Sequence, residues 1–434
     1  MRRHDQADFP VVIVGNGPAG LSLSAFLSGI LPFYNPDTPH PDPLVNRKLM
    51  KNLDQSLLEQ DLEWCQSLEP IGGSTRPLCV LYDSLVRPGA DLGAKISSRL
   101  AWQSDPTKSI SHLVLGETAI GGSWNTYDPE MLAVSYASWL DLPGFSISDW
   151  LQGTPLIPRL PSVAIAQYMQ CYAEELGLSK SIIPHTRVNS VRKTGEVWTV
   201  SGVRADGSCF SYTARHVVLA CGKMKQKQLE LTMRNPTLPV VYDALALKSH
   251  MVNDPTLGTS GSNARVVVIG DGISSADAVR ACLERDVPVL HVMRRTERQL
   301  RNTIFSRLSP TQYAEYTSVY RLMIGKDENP LYEGIFASTV TDVDEKSVLT
   351  IQTAKGIRYE KSSMLVVCIG RMSDLEGILS EKYTFSGYQS EQDPTLYAIG
   401  SLAGDHFVRY LVGGSLEVAR SIQAFYKDRN NNDA

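Results

Sequence analysis

The sequence predicts a mixed α/β fold built from two nucleotide-binding units, one interrupting the other, with a small antiparallel β meander. Three observations lead there. Gly15-Asn16-Gly17-Pro18-Ala19-Gly20 directly follows the apolar run 11–14, and Gly270-Asp271-Gly272-Ile273-Ser274-Ser275 directly follows the apolar run 266–269. Each fingerprint then opens a stretch with amphipathic helical spacing, 18–27 and 274–284. A strand that turns tightly through glycines into a helix sets backbone N–H groups and the positive helix end against a pyrophosphate, so the pair predicts two Rossmann-like dinucleotide units. Third, the strand-like stretch 396–400 that would complete the first unit lies beyond the second. The expected domains are therefore 1–222, 223–371 and a C-terminal completion of the first, 372–434.

After the first helix, a second strand ending in an acidic ribose ligand is due about 20 positions past the glycines. Instead Pro32, Pro36, Pro39, Pro41 and Pro43 crowd that stretch, and Asp37 reads as a turn residue. Residues 113–115 make the better second strand and lead into Gly121-Gly122-Ser123-Trp124, so 31–111 reads as an insertion with helical patches such as 56–65. Covering the site, shaping a substrate channel and mediating association all stay open for it. Ser162 is expected to cap a helix over 163–176. Segments 187–191, 197–203 and 209–213 form the meander, turning at Ala205-Asp206-Gly207, and 217–220 returns as a separate buried strand ending at Cys221-Gly222. In the second unit a strand over 289–293 ends at Arg294-Arg295, and another over 364–369 closes at Gly370. Past residue 400 a glycine-rich turn is expected to precede a helix over 415–426, with the tail fraying from Asn430.

A chain of 434 residues with 43% hydrophobic content has material for two or three buried cores. The net charge of -4, with basic clusters confined to 223–227 and 294–301, offers no broad footprint for nucleic acid. No apolar run approaches the roughly 18 to 20 residues of a membrane span, and residues 1–9 are charged where a signal peptide needs an apolar core, so a cytoplasmic location is expected. Seven cysteines, at 65, 79, 171, 209, 221, 282 and 368, include no C-x-x-C. That spacing argues against a dithiol disulfide reductase and against a metal site, and for free thiols in a reducing compartment.

The candidate contacts at the first site are Gly15, Asn16, Gly17, Pro18, Ala19 and Gly20, joined by Gly122, Ser123 and Trp124. The segment 121–124 resembles the G-G-x-W segment beside the flavin in the flavin-containing monooxygenase superfamily, so FAD is expected. Leu115 and Gly116 stand where the ribose carboxylate belongs, leaving Glu117 or the insertion to make that contact. At the second site Gly270, Asp271, Gly272, Ile273, Ser274 and Ser275 would hold a pyrophosphate. Arg294 and Arg295 follow the next strand where an NAD-specific site would carry a carboxylate, and guanidinium groups there favour a 2′-phosphate, hence NADPH. Asp277 reads as structural.

Gly222 ends a strand in a pattern similar to the Ala-Thr-Gly segment of such flavoproteins, with Cys221 in the Thr position. Gly400-Ser401 resembles their C-terminal flavin segment, Ser401 replacing an Asp that would bond the ribityl chain; Asp405 is the candidate to take its place. Ser135 and Val188 complete the candidate cofactor contacts, and Trp139 beside Ser135 suits either pocket lining or core packing. From about Phe9 to Ile422 the chain resembles the oxidative stress-induced growth inhibitor family, flavoprotein-like relatives of the flavin monooxygenases. The resemblance lies in 14–18, Leu85-Val86-Arg87-Pro88, 274–278, Tyr332-Glu333-Gly334 and 402–409. It implies NADPH-dependent monooxygenase chemistry and a role in restraining growth and promoting cell death. The wider superfamily's F-x-G-x-x-x-H fingerprint is absent, residues 233–242 lying there without a histidine.

The expected reaction is reduction of FAD by NADPH, after which the reduced flavin captures O₂ as a C4a-(hydro)peroxide that oxygenates an unidentified small-molecule substrate or decays to H₂O₂. No general base is assigned. Asp405, His406 and Arg409 fall near the expected flavin-facing tail, Asp405 foremost. Two other readings stay open, a weakly active FAD/NADPH-binding regulatory scaffold and an uncoupled NADPH oxidase. The oligomeric state is not legible in the sequence.

Overall fold

The computed structural model describes residues 7–68, 76–93, 96–223, 225–254, 257 and 265–432. The chain divides into one unit made of Met1–Met224 with Ser373–Ala434, and a second made of Lys225–Met372.

In the first unit the strand Phe9–Val14 sits at the centre of a parallel sheet. Cys209–Leu219 and then Leu396–Ala398 flank it on one side, His112–Leu115 and then Ile182–Ile183 on the other. Val11, Val12 and Ile13 are wholly buried because helices or meander cover both faces, as a parallel sheet requires. The meander pairs Thr186–Thr194, Val197–Arg204 and Cys209–Leu219 antiparallel. Residues 209–213 and 217–220, expected as two strands, belong to one: Cys209–Leu219 leaves the meander and enters the parallel sheet without a break, burying Ala214 and His216 on the way.

The insertion departs from the expectation in detail. Ile30–Tyr34 is a strand despite Pro32, paired antiparallel with Leu100–Ser104 in a ribbon outside the main sheet. A two-stranded ribbon has only edge strands, which tolerate a proline. Its base is closed by Asp105 N–H donating to Gly29 O at 2.9 Å and Ile110 N–H to Leu27 O at 2.7 Å, so the chain leaves and re-enters the host at one place. His112–Leu115 then takes the position beside the central strand. Pro43 and Pro77 start helices Pro43–Met50 and Pro77–Val86, where a proline's missing N–H is no loss. Residues 56–65 are not a helix. The Gln60 amide donates to Asn52 O and Gln55 O, fixing an irregular backbone that still buries Leu57, Leu58 and Leu62 before the short 3-10 turn Glu63–Ser67.

Helix Ser162–Glu175 is capped by Pro161 rather than Ser162, whose hydroxyl donates to Asp128 O at 2.6 Å. The C-terminal helix is longer than its apolar pattern suggested, Val408–Asn432. Gly413 and Gly414 are inside it because neighbours press close: a Cβ would lie 2.6 Å from Cys79 Cα at Gly413 and 2.5 Å from the Tyr388 ring at Gly414.

In the second unit Val240–Val241, Gly356–Val367, Arg265–Ile269, Val289–Val292 and Tyr332–Ile335 run parallel in that order. Thr339–Val343 and Val348–Thr353 add antiparallel strands against the first half of Gly356–Val367. Helix Ile273–Leu283 follows the second fingerprint. No helix among the described residues is long and apolar enough to cross a membrane.

Candidate nucleotide-binding sites

In the first unit, Gly15 takes φ +120° directly after the central strand, and a Cβ there would lie 2.4 Å from Ala220 O. A Cβ on Gly20 would lie 2.0 Å from Gly15 O, so only glycine lets helix Pro18–Leu27 start so near the turn. Asn16 is the bolt. Its buried amide donates to Thr118 O at 2.9 Å and Ala119 O at 3.1 Å, while its carbonyl accepts from Gly121 N at 3.0 Å. This draws the fingerprint against 121–124, where Gly122 at φ +60° would put a Cβ 2.8 Å from Gly17 Cα. Gly400 closes over the helix start, its notional Cβ 2.9 Å from Ala19 Cβ, and Gly222 stands beside Ser401. Residues 15–20, 121–124, Gly222 and Gly400 therefore converge. The helix begins at Gly17 with no side-chain cap, leaving its first N–H groups available to an anion.

The other candidates lie around this cradle in different states. Glu117 is exposed, 3.6 Å from Arg187, just past the end of His112–Leu115. Ser135 is half-buried. Val188 packs in the apolar cluster with Val14 and Leu115. Trp124 meets Tyr127 edge to face at 5.6 Å. Trp139, half-buried, carries the Arg409 guanidinium over its ring at 4.7 Å.

The tail residues are built into ion pairs. Asp405 is buried, and its carboxylate accepts from Arg76 Nη1 at 2.9 Å and Tyr388 Oη at 2.7 Å. Burial raises its pKa against those donors. Tyr388 also contacts Cys79 Sγ at 3.0 Å. Arg409 grips Asp83 at 2.8 and 2.6 Å and Asp91 at 2.7 and 2.8 Å, while Arg87 holds Ser138 O and Asp141 O, both at 3.0 Å. Arg409 of the motif 402–409 thus joins helix Pro77–Val86 to the C-terminal helix as a structural cation, Arg87 of the motif 85–88 ties the end of the same helix to the segment 138–141, and His406 is exposed.

In the second unit Gly270 repeats the first turn, with φ +132° and a notional Cβ 2.2 Å from Cys368 O. Gly272 has nothing within 4 Å of its notional Cβ, and the helix it starts has no side-chain cap. Ser275 takes the third glycine's place, its hydroxyl donating to Gly272 O at 2.7 Å. Sequence reading missed the support below: His291 Nε2 bonds Gly270 O at 2.7 Å and His291 Nδ1 bonds Tyr332 Oη at 3.0 Å. A carbonyl only accepts, so Nε2 carries the proton and Nδ1 receives the tyrosine hydroxyl. Burial pulls the His291 pKa down to about 4, keeping that tautomer neutral. Arg294 is exposed, whereas Arg295 is ion-paired with Asp271. Glu333, the middle of the motif 332–334, instead joins Arg265 and Arg358, whose hydrogen bonds hold its carboxyl at about 2 despite partial burial.

Two glycine turns, each following a parallel strand and opening an uncapped helix, define an α/β protein with two dinucleotide-type units. A profile of the family described as pyridine nucleotide-disulphide oxidoreductase matches residues 102–397. The chain is 47% identical to the oxidative stress induced growth inhibitor homolog of Caenorhabditis elegans, over 98% of this chain and 96% of the relative. It is 31% identical to oxidative stress-induced growth inhibitor 2 of Homo sapiens, over 97% and 94%. The chain belongs to the oxidative stress-induced growth inhibitor family. Its fold is also that of a bacillithiol disulfide reductase from Bacillus cereus (TM-score 0.61, 15% identity, 96% and 99% covered) and a flavin monooxygenase from Stenotrophomonas maltophilia (0.56, 16%, 96% and 99%). The expected pairing of FAD with a pyridine nucleotide agrees with this membership.

Proposed function

We propose that this chain is an NADPH-dependent flavin monooxygenase that binds FAD on 15–20 and NADPH on 270–275. The observation that carries the reading is the pair of bare cradles, where Gly15 and Gly270 take positive φ and a Cβ on either would overlap a neighbouring carbonyl. Side chains are excluded where a pyrophosphate would need backbone N–H groups. FAD, when bound, accepts hydride from NADPH and passes electrons to O₂.

The chain's own residues do the rest. Gly17 and Gly122 would present backbone to the pyrophosphate, Asn16 holds the two loops in register, and Glu117 would receive the ribose hydroxyls. Gly400 and Gly222, with Ser123, Trp124 and Ser135, would line the flavin end, Val188 would lie on the Glu117 side, and Asp405 positions the tail segment through Arg76 and Tyr388. Arg294 would answer the 2′-phosphate, with Arg295 beside it in its ion pair with Asp271. Oxygen is favoured over a disulfide as electron acceptor because the sequence holds no C-x-x-C pair and burial makes five of the seven thiols poor nucleophiles, Cys65 and Cys221 pushed up to about 11 and Cys79, Cys282 and Cys368 to about 12. A relative matched over 49% of this chain at 27% identity is named an FAD-dependent monooxygenase, from Aspergillus sclerotiorum. We assign the chain a growth-restraining cellular role, after the names of its relatives.

The test is anaerobic mixing of the purified, yellow full-length protein with NADPH. Bleaching of the flavin band and its return in air supports the assignment. Bound FAD that NADPH does not reduce makes the chain a regulatory scaffold, and stoichiometric H₂O₂ with every candidate substrate makes it an oxidase.

A further inference from the structure

Asp271 lies between the two glycines of the second fingerprint. Its side chain is only 14% exposed, is ion-paired with the Arg295 guanidinium, and accepts the Arg295 backbone N–H at 3.2 Å. Arg295 is fixed at its other end too, its carbonyl accepting from Ala337 N at 3.0 Å. Arg294 is exposed and holds no ion pair among the described residues.

The turn after the second strand of such a unit is where the ribose 2′ position is read. There the carboxylate already holds an N–H and a guanidinium that a 2′-phosphate would seek. A phosphate arriving there meets a like charge and must share or displace Arg295 from its partner. A 2′-hydroxyl meets the same carboxylate as a hydrogen-bond acceptor. We infer that Asp271 is the specificity-setting residue of this site, an internal anion that stands in for the 2′-phosphate on Arg295 and leaves Arg294 as the free cation for it. The site then prefers the phosphorylated dinucleotide less strongly than its two arginines imply. This inference rests on the nucleotide assignment made above.

The experiment is calorimetric titration of the purified full-length protein with 2′,5′-ADP and with 5′-AMP at low salt, which reads binding and not turnover. Asp271→Asn keeps the shape and an acceptor oxygen for the Arg295 N–H. It should raise the preference for 2′,5′-ADP over 5′-AMP about tenfold, the scale of one charge-assisted contact. Arg294→Ala should lower that preference by about the same factor. Arg295→Ala should weaken 2′,5′-ADP more in the Asp271→Asn background than alone, because only there is the guanidinium free. A preference that Asp271→Asn leaves unchanged, or shifts toward 5′-AMP, in a variant with the wild-type melting temperature overturns the inference while the nucleotide site stands. A wild-type protein that binds neither probe overturns the nucleotide assignment itself, and the inference with it.

Discussion

Arg409→Met tests whether the family motif 402–409 is a clamp rather than a flavin contact. Arg409 and Asp83 have side chains only 4% and 8% exposed, whereas Asp91 is 45% exposed. Removing one member of a buried ion pair leaves an uncompensated charge, at about 3 to 5 kcal/mol. The lower end applies here, because Arg87 Nη1 stays 3.6 Å from Asp83 as a residual partner. Losing the half-exposed Asp91 pair adds up to about 1 kcal/mol. Losing the guanidinium over Trp139 adds about 0.5 to 1 kcal/mol. The expected destabilisation is about 4 kcal/mol. All six tryptophans, at 64, 102, 124, 139, 150 and 198, fall in the first unit, so urea unfolding followed by tryptophan fluorescence reports that unit alone. Asp83→Asn combined with Arg409→Met should recover about half of the loss, since the buried carboxylate charge is gone and Arg87 keeps its hydrogen bonds to Ser138 O and Asp141 O. A single variant within about 0.5 kcal/mol of wild type, or a double variant no better than the single, would refute the clamp.

The remaining predictions concern the cradles and the acid limb. Gly17→Ala puts a Cβ at an ordinary 3.8 Å from Gly122 Cα and should fold yet lose FAD absorbance, whereas Gly15→Ala meets Ala220 O at 2.4 Å and should fail to give soluble protein. Gly272→Ala has open space and should keep FAD while losing NADPH reduction, read by anaerobic bleaching. His291 is held neutral with a pKa near 4, below its ordinary 6.5, so the unfolded chain takes up a proton first. Stability is complete above that ordinary value and falls as pH drops toward 4. His291→Phe should flatten that slope in a pH series of melting curves, at a cost of about 1 to 3 kcal/mol for the stranded Gly270 carbonyl. Glu333 is held at about 2, chiefly by its hydrogen bond from Arg358, so its contribution is present above its ordinary 4.5 and fades as pH falls toward 2. Glu333→Gln should remove that fade, measured the same way.

What could be read in the sequence were the features whose causes are local. A glycine whose neighbours in sequence are a strand and a helix announces its own φ, and both cradles were legible for that reason. The late second strand at His112–Leu115 was visible from its apolar run, but the ribbon that returns the chain to it was not, because Pro32 argues against a strand unless its partner at Trp102 is known. Gly413 and Gly414 read as a turn for a similar reason: what excludes their side chains is Cys79 and Tyr388, remote in sequence. Asp405 and Arg409 had the charge of site residues, and only Arg76 and Asp83, more than 300 positions away, reveal them as clamps. His291 and Tyr332 carried no motif of cofactor binding, although they hold the glycine that does.

The Asp83–Arg409 grip also orders events during synthesis. A ribosome making this chain releases Asp83 and the central strand early, then the whole of Lys225–Met372, and only afterwards Leu396–Ala398 and the C-terminal helix. The inserted unit has its own parallel sheet and can complete itself while its host still lacks a sheet strand and the cation for a buried carboxylate. The host is therefore the last part of the molecule to become native, exposed to chaperones and proteases for longest, and truncation before Arg409 strands it there.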